Sequence, residues 1–190
     1  AASDVYKRQE YTFLDTDIRE AILLIGLHGP DLVGMELGVF RATSSCTILQ
    51  QCPNVKKLYG IDSWKSYTDY ISPVVNTFSK AEMETHEFFA RHHIKWSGEA
   101  DRAELIKGDT NTLHSKFDDE TFDFIFFDAW CSYEQVKSEL HNWYPKIKKG
   151  GLVIGHDYSA EMVSIGIAEF REEHNITSHM ATYNDTFVFK

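Results

Sequence analysis

The run Phe122-Asp123-Phe124-Ile125-Phe126-Phe127 constrains the fold most, because all but one of its residues are large and apolar. Such a strand is buried on both faces, and a sheet covered on both faces needs helices on either side. The rest of the chain supplies them by alternation. A helix is expected over Asp17–Leu27, stopped by Gly29-Pro30, and a strand near Leu32–Leu37. A helix from about Ser44 to Cys52 precedes a second strand, Lys57–Ile61, ending at Asp62. Ala103–Lys107 is a third, ending at Gly108-Asp109-Thr110, with a short helix over Thr112–Phe117. After the fourth strand come a helix from Ser132 to about Tyr144, a turn at Lys149-Gly150-Gly151 and a fifth strand, Leu152–Ile154. A helix near Ala160–His174 leads to Thr177–Thr182 and Thr186–Phe189, with Asn184-Asp185 as a hairpin turn. The pattern is a parallel α/β sheet closed by an antiparallel hairpin.

Residues 63–98 break this alternation and read as a helical, aromatic insertion (Trp64, Tyr67, Tyr70, Phe78, Phe88, Phe89, Trp96) with a helix over about Ser79–His93. It serves as an acceptor wall or lid, or it covers the sheet with Met83, Phe88 and Phe89 as core. Residues 1–15 read as an N-terminal extension, of which Ser3–Gln9 resembles an adapter-derived artefact, and 16–190 as a single domain.

Ligands of open α/β sheets bind beyond the carboxyl ends of the strands. Here the first four strands end at or near Glu36, Asp62, Asp109 and Asp128. Asp62 lies 24 residues after Gly38, close to the roughly 20-residue interval of a carboxylate that receives ribose hydroxyls. Asp109-Thr110 would sit beside an adenine, or Asp109 simply caps the following helix. The turn after the first strand, Glu36-Leu37-Gly38-Val39-Phe40, is not the G-x-G-x-x-G of a nicotinamide site, since Glu36 stands at the first glycine. A carboxylate there repels a pyrophosphate and tolerates a cation such as the sulfonium and ammonium of S-adenosylmethionine, which has no phosphate.

A net charge of −10 argues against a nucleic-acid partner and for a small-molecule acceptor. The longest apolar runs, such as Ala21–Ile25, are too short to span a membrane. Three cysteines without scaffold spacing (Cys46, Cys52, Cys131) and no signal-peptide pattern lead to a cytoplasmic expectation. Cys131 reads as a small packed residue with no base placed for it, and His92-His93 as helix surface.

The blocks Glu36–Arg41, Gly60-Ile61-Asp62-Ser63-Trp64, Gly108-Asp109-Thr110, Phe127-Asp128 … Ser132-Tyr133-Glu134 and Gly150-Gly151 … Gly155-His156-Asp157-Tyr158 occur in this order. Together they resemble the class I S-adenosylmethionine-dependent methyltransferases, in particular methyltransferase family 24, over roughly residues 20–190. The resemblance implies a Rossmann-like α/β/α sandwich with a mostly parallel seven-stranded sheet, and O-methylation of a small molecule or sugar. It implies a cofactor set of Glu36, Gly38, Val39, Phe40, Ser44, Ser45, Asp62, Ser63, Asp109, Thr110 and Asp128. Gly38 and the amides after it, helped by Ser44 or Ser45, would hold the methionine moiety, Asp62 the ribose, and Asp109-Thr110 the adenine edge. A homodimer stays open.

An alcohol acceptor needs its proton removed by a base or by a cation. Asp128, His156 and Asp157 close the fourth and fifth strands and read in three ways. They bind a divalent metal, with His156 replacing an oxygen ligand of magnesium-dependent relatives. Alternatively His156 is a metal-free base oriented by a neighbouring aspartate, or Asp157 only caps a turn. Two departures stand out: Ala42 where the family turn has glycine, and Ala129 and Cys131 where relatives read D-G-x-H. A nicotinamide oxidoreductase and a non-catalytic cofactor binder are the competing readings, the first opposed by Glu36 and the second kept alive by the Ala129–Cys131 departure.

Overall fold

The computed structural model describes residues 11–66, 78–129 and 132–190. Its sheet has seven strands: β1 (Leu32–Leu37), β2 (Val55–Asp62), β3 (Ala103–Lys107), β4 (Phe122–Phe127), β5 (Ile147–Gly155), β6 (Ala181–Tyr183) and β7 (Thr186–Phe189). They lie in the order β3-β2-β1-β4-β5-β7-β6. The first five pair in parallel, and β7 runs antiparallel to both β5 and β6. The α/β sandwich with its terminal hairpin is therefore the fold.

Strand alternation divides the interior into two cores. Phe124, Phe126, Leu152 and Ile154 face one way and pack with α1 (Arg19–His28), α2 (Thr43–Gln51) and α3 (Lys80–Trp96). Ile125, Phe127 and Val153 face the other way and pack with α4 (Thr110–Leu113), α5 (Tyr133–Trp143) and α6 (Glu161–Glu173). The period-two pattern of an apolar strand thus feeds both layers. Gly34 is required by this packing, since a Cβ there would fall 2.1 Å from the Phe124 ring.

Several boundaries differ from the sequence expectation. The segment 63–98 is not wholly an insertion, because α3 is the crossover that joins β2 to its parallel neighbour β3. A capping box between Ser79 and Glu82 starts α3. Met83 is buried in the core as expected, but Phe88 is 54% exposed. Tyr67 and Tyr70 lie outside the described residues. β5 begins at Ile147 because the expected glycine turn is absorbed as a bulge, with Gly150 at φ +79° and the register slipping between Phe122 and Phe124. β6 starts only at Ala181, since Arg171 draws in the carbonyls of Ile176 and Ser178 before it. The expected helix over Thr112–Phe117 is α4 followed by a tighter turn, His114–Lys116. Among the described residues no helix is long and apolar enough to cross a membrane.

Candidate active site

The residues that leave β1 and β4 meet at one open cleft, and the ends of β2 and β5 flank them in the sheet. The chain leaves β1 through Gly38 at φ +89°, where a Cβ would lie 2.1 Å from the Asp128 carbonyl oxygen. Only glycine allows the β1 turn to lie this close to the end of β4. Phe40 (φ +49°) and Ala42 (φ +59°) continue the turn in the left-handed region. Ala42 thus adopts a backbone that glycine takes more readily, at a cost of about 1 kcal/mol.

Asp62 fastens this turn. Its Oδ2 accepts from the Phe40 amide (2.8 Å) and its Oδ1 from the Trp64 amide (2.7 Å). Burial raises the Asp62 pKa, while these amides and that of Val39 draw it back down. Trp64 closes the arrangement by donating its indole N–H to the Phe40 carbonyl (2.8 Å). Ser63 is buried beside it, its Oγ accepting from the Lys65 amide (3.3 Å).

Glu36 is fully buried under the turn, and burial pushes its pKa up to about 7 against the pull of Ser44 and Ser45. Both serine hydroxyls donate to its carboxylate. Where the sequence reading offers these hydroxyls to a cofactor, the structure turns them inward to hold Glu36. Asp109 caps α4, its Oδ1 accepting from the Asn111 amide (2.9 Å). Thr110 is buried and donates its hydroxyl to Glu139 Oε1 (2.5 Å), which also accepts from Gln135 Nε2 (2.7 Å). Burial raises Glu139 to about 7.

Asp128, His156 and Asp157 come together, with one ligating atom from each lying within 4.8 Å of the others. His156 Nδ1 is 3.1 Å from Asp157 Oδ1 and 4.0 Å from Asp128 Oδ1. The Asp157 contact, with help from Asp128, pushes His156 up to about 9. Burial lifts Asp128 well above the carboxylate range, and His156 partly offsets it. Two carboxylates and an imidazole at these separations suit a divalent cation, and the imidazole favours zinc, iron or manganese over magnesium.

Asp128 lies between two spaces. One is a cleft of about 540 Å³ lined by Leu14–Asp17, Gly38–Arg41, Thr43, Ser44 and Asp128. The other is a cavity of about 30 Å³ reaching from Asp128, His156 and Asp157 to Glu139. Trp130 and Cys131, part of the departure after β4, lie outside the described residues.

Sequence reasoning missed two contributors. Within residues 11–15, read as an extension, Leu14 and Asp15 form part of the cleft wall, and the segment is tied down by Phe13 N–H to Gln50 Oε1 (2.9 Å) and Asp15 N–H to Thr47 Oγ1 (3.0 Å). No periodicity marks them. Glu139 had a signal, a carboxylate on the buried face of α5 beside Leu140 and Trp143.

The fold is shared by solved structures. The O-methyltransferase NovP superimposes with a TM-score of 0.64 at 20% identity, covering 91% of this chain and 77% of that one. An O-methyltransferase from Bacillus cereus, solved in complex with SAH, gives 0.64 at 18% identity, covering 93% and 80%. Precorrin-6y C5,15-methyltransferase from Geobacter metallireducens gives 0.62 at 14% identity, covering 94% and 90%. No curated protein sequence matches the chain. The family described as "Methyltransferase domain" matches residues 35–158, from the end of β1 through the Asp128, His156 and Asp157 cluster. The chain therefore belongs to that family, the S-adenosylmethionine-dependent methyltransferases of class I.

Proposed function

We propose that this methyltransferase O-methylates a hydroxyl of a small-molecule acceptor, using S-adenosylmethionine held by the β1 turn and Asp62. The observation that carries the reading is that Asp128, which lines the cleft framed by that turn, gathers with His156 and Asp157. Methyl transfer from a sulfonium is an in-line displacement, so the chain mainly supplies alignment and desolvation. The cleft face of the β1 turn, Gly38–Phe40, with Glu36 held beneath it, suits the methionine end, and Asp62 suits ribose hydroxyls. Asp109 and Thr110 stand at the adenine end, Thr110 through its backbone, since its hydroxyl belongs to Glu139.

A hydroxyl acceptor loses its proton as it is methylated; His156, raised to about 9, is already protonated at neutral pH, so the proton passes to an aspartate of the cluster, Asp128 or Asp157. The same three residues would hold a divalent cation, which lowers the pKa of a bound hydroxyl. Soluble placement in the reducing cytoplasm fits the buried thiols of Cys46 and Cys52, which burial raises to about 12 and about 11.

Calorimetric titration with S-adenosylhomocysteine, with and without EDTA and with NADH as a control, tests the cofactor. Micromolar binding that Asp62→Ala abolishes supports the reading, and binding of NADH alone overturns it. Transfer of labelled methyl from S-adenosylmethionine to phenol and sugar acceptors, lost in Asp128→Asn, tests the chemistry.

A further inference from the structure

Among the described residues the cleft has one cation in its lining, Arg41, set against Asp15, Asp17 and Asp128. Its guanidinium is oriented. Arg41 Nε donates to His86 Nδ1 (3.0 Å), and the group lies 5.4 Å from the Phe40 ring centroid and 5.9 Å from that of Phe89. Its carbonyl is fixed as well, within 2.8 Å of His93 Nδ1. Among the described residues Arg41 forms no ion pair, although it is exposed in a chain of net charge −10. The terminal nitrogens of the guanidinium therefore remain available as a two-pronged donor.

His86 is built for this task. It is 4% exposed, packed against Phe40 (4.2 Å between centroids) and Phe78 (4.7 Å), and its Nε2 has no hydrogen-bond partner. Leaving a buried ring nitrogen unpaired is costly. The bond from Arg41 puts the proton of the neutral ring on Nε2, and burial together with Arg41 keeps the ring neutral by lowering its pKa. A neutral imidazole whose one satisfied atom accepts from arginine acts as a rest for that guanidinium.

We propose that Arg41, steered by His86 and the Phe40 and Phe89 rings, anchors a single anionic group, a carboxylate or phosphate, on a ligand bound in this cleft. A wall that is otherwise acidic admits one such group and repels polyanions. The anion belongs either to the cofactor's own amino-acid end or to the methyl acceptor, and this assignment rests on the cofactor reading of the cleft.

The test is calorimetric titration of wild type, Arg41→Gln and His86→Phe with S-adenosylhomocysteine, with 5′-methylthioadenosine (which lacks the carboxylate), and with benzoate and inorganic phosphate. The two anions are titrated into both the free and the S-adenosylhomocysteine-loaded protein. If Arg41→Gln weakens S-adenosylhomocysteine about tenfold or more and leaves 5′-methylthioadenosine unchanged, the anchored group is the cofactor's. Unchanged S-adenosylhomocysteine binding with loss of benzoate or phosphate binding assigns the anchor to the acceptor. His86→Phe keeps the charge and deletes the acceptor atom, so it is expected to lose part of the same affinity without a matching loss of melting temperature. Equal binding of every ligand by Arg41→Gln and wild type overturns the anchor. Failure of wild type to bind S-adenosylhomocysteine sinks the cofactor reading instead, and anion binding by the free protein then decides on Arg41.

Discussion

Glu139→Gln separates charge from packing at one buried site. Glu139 is 3% exposed, and its Oε1 accepts from Thr110 and Gln135. An amide oxygen accepts both bonds equally well, so the substitution removes little besides the ionisable proton. Burial raises the pKa from 4.5 to about 7. A carboxyl with a raised folded pKa holds its proton more tightly when folded. Its contribution to stability is therefore fully present below the unfolded value and is lost as pH rises through 7. Integrating the linkage between about pH 5 and about pH 8 gives a loss of about 2.5 kcal/mol from this group. For a chain of this size that corresponds to about 5–10 °C in melting temperature. Urea denaturation of both proteins at the two pH values reads it, because the identical contribution of Glu36 cancels in the difference. The variant is expected to gain about 2.5 kcal/mol on wild type between the low and the high pH. A difference independent of pH would refute the reasoning, since it would mean that Glu139 ionises in the folded protein as readily as in water.

Gly38→Ala sets a Cβ against the backbone of Asp128 at φ +89°, and neither side can yield cheaply. The expected loss is about 2–5 kcal/mol in chemical denaturation, together with loss of S-adenosylhomocysteine binding. Phe124→Ala empties a fully buried site and is expected to cost about 3–5 kcal/mol. Gly34→Ala, destabilising alone, is expected to be milder in the Phe124→Ala background, which a double-mutant cycle measures. His156→Ala removes a group raised to about 9 by its aspartates. Wild type is expected to lose its advantage over this variant as pH rises from about 6.5 through 9, visible in melting curves across that range.

β3, β4 and β7 have the limits expected from sequence: β3 stops at Gly108-Asp109, and β4 and β7 are short runs dominated by large apolar side chains. β5 does not, since Lys149-Gly150-Gly151 is equally compatible with a turn and with a bulge, and only pairing with β4 decides. The carboxylates at the strand ends were legible because a parallel sheet must deliver them to one edge. Their partners were not. A sequence places Ser44 and Ser45 near Glu36 but cannot say that both hydroxyls turn inward, nor that Glu139 reaches Thr110 from another helix. The strap from Tyr11 to Asp17 was illegible for a different reason: it is held by scattered hydrogen bonds to Thr47, Gln50, Trp96 and Thr186, which leave no periodic trace.

The two-handed grip of Asp62 makes the cleft a cooperative device. Its carboxylate clasps the Phe40 and Trp64 amides at once, so in the proposed cofactor reading the atoms offered to a ribose also keep the β1 turn in shape. A nucleoside that engages Asp62 meets a turn already braced, and any ligand that slackens the turn loosens the grip on the sugar. Adenosine and homocysteine presented as separate fragments should consequently each bind far more weakly than half of the joined molecule. The covalent link between them supplies an effective concentration that the shared carboxylate converts into affinity.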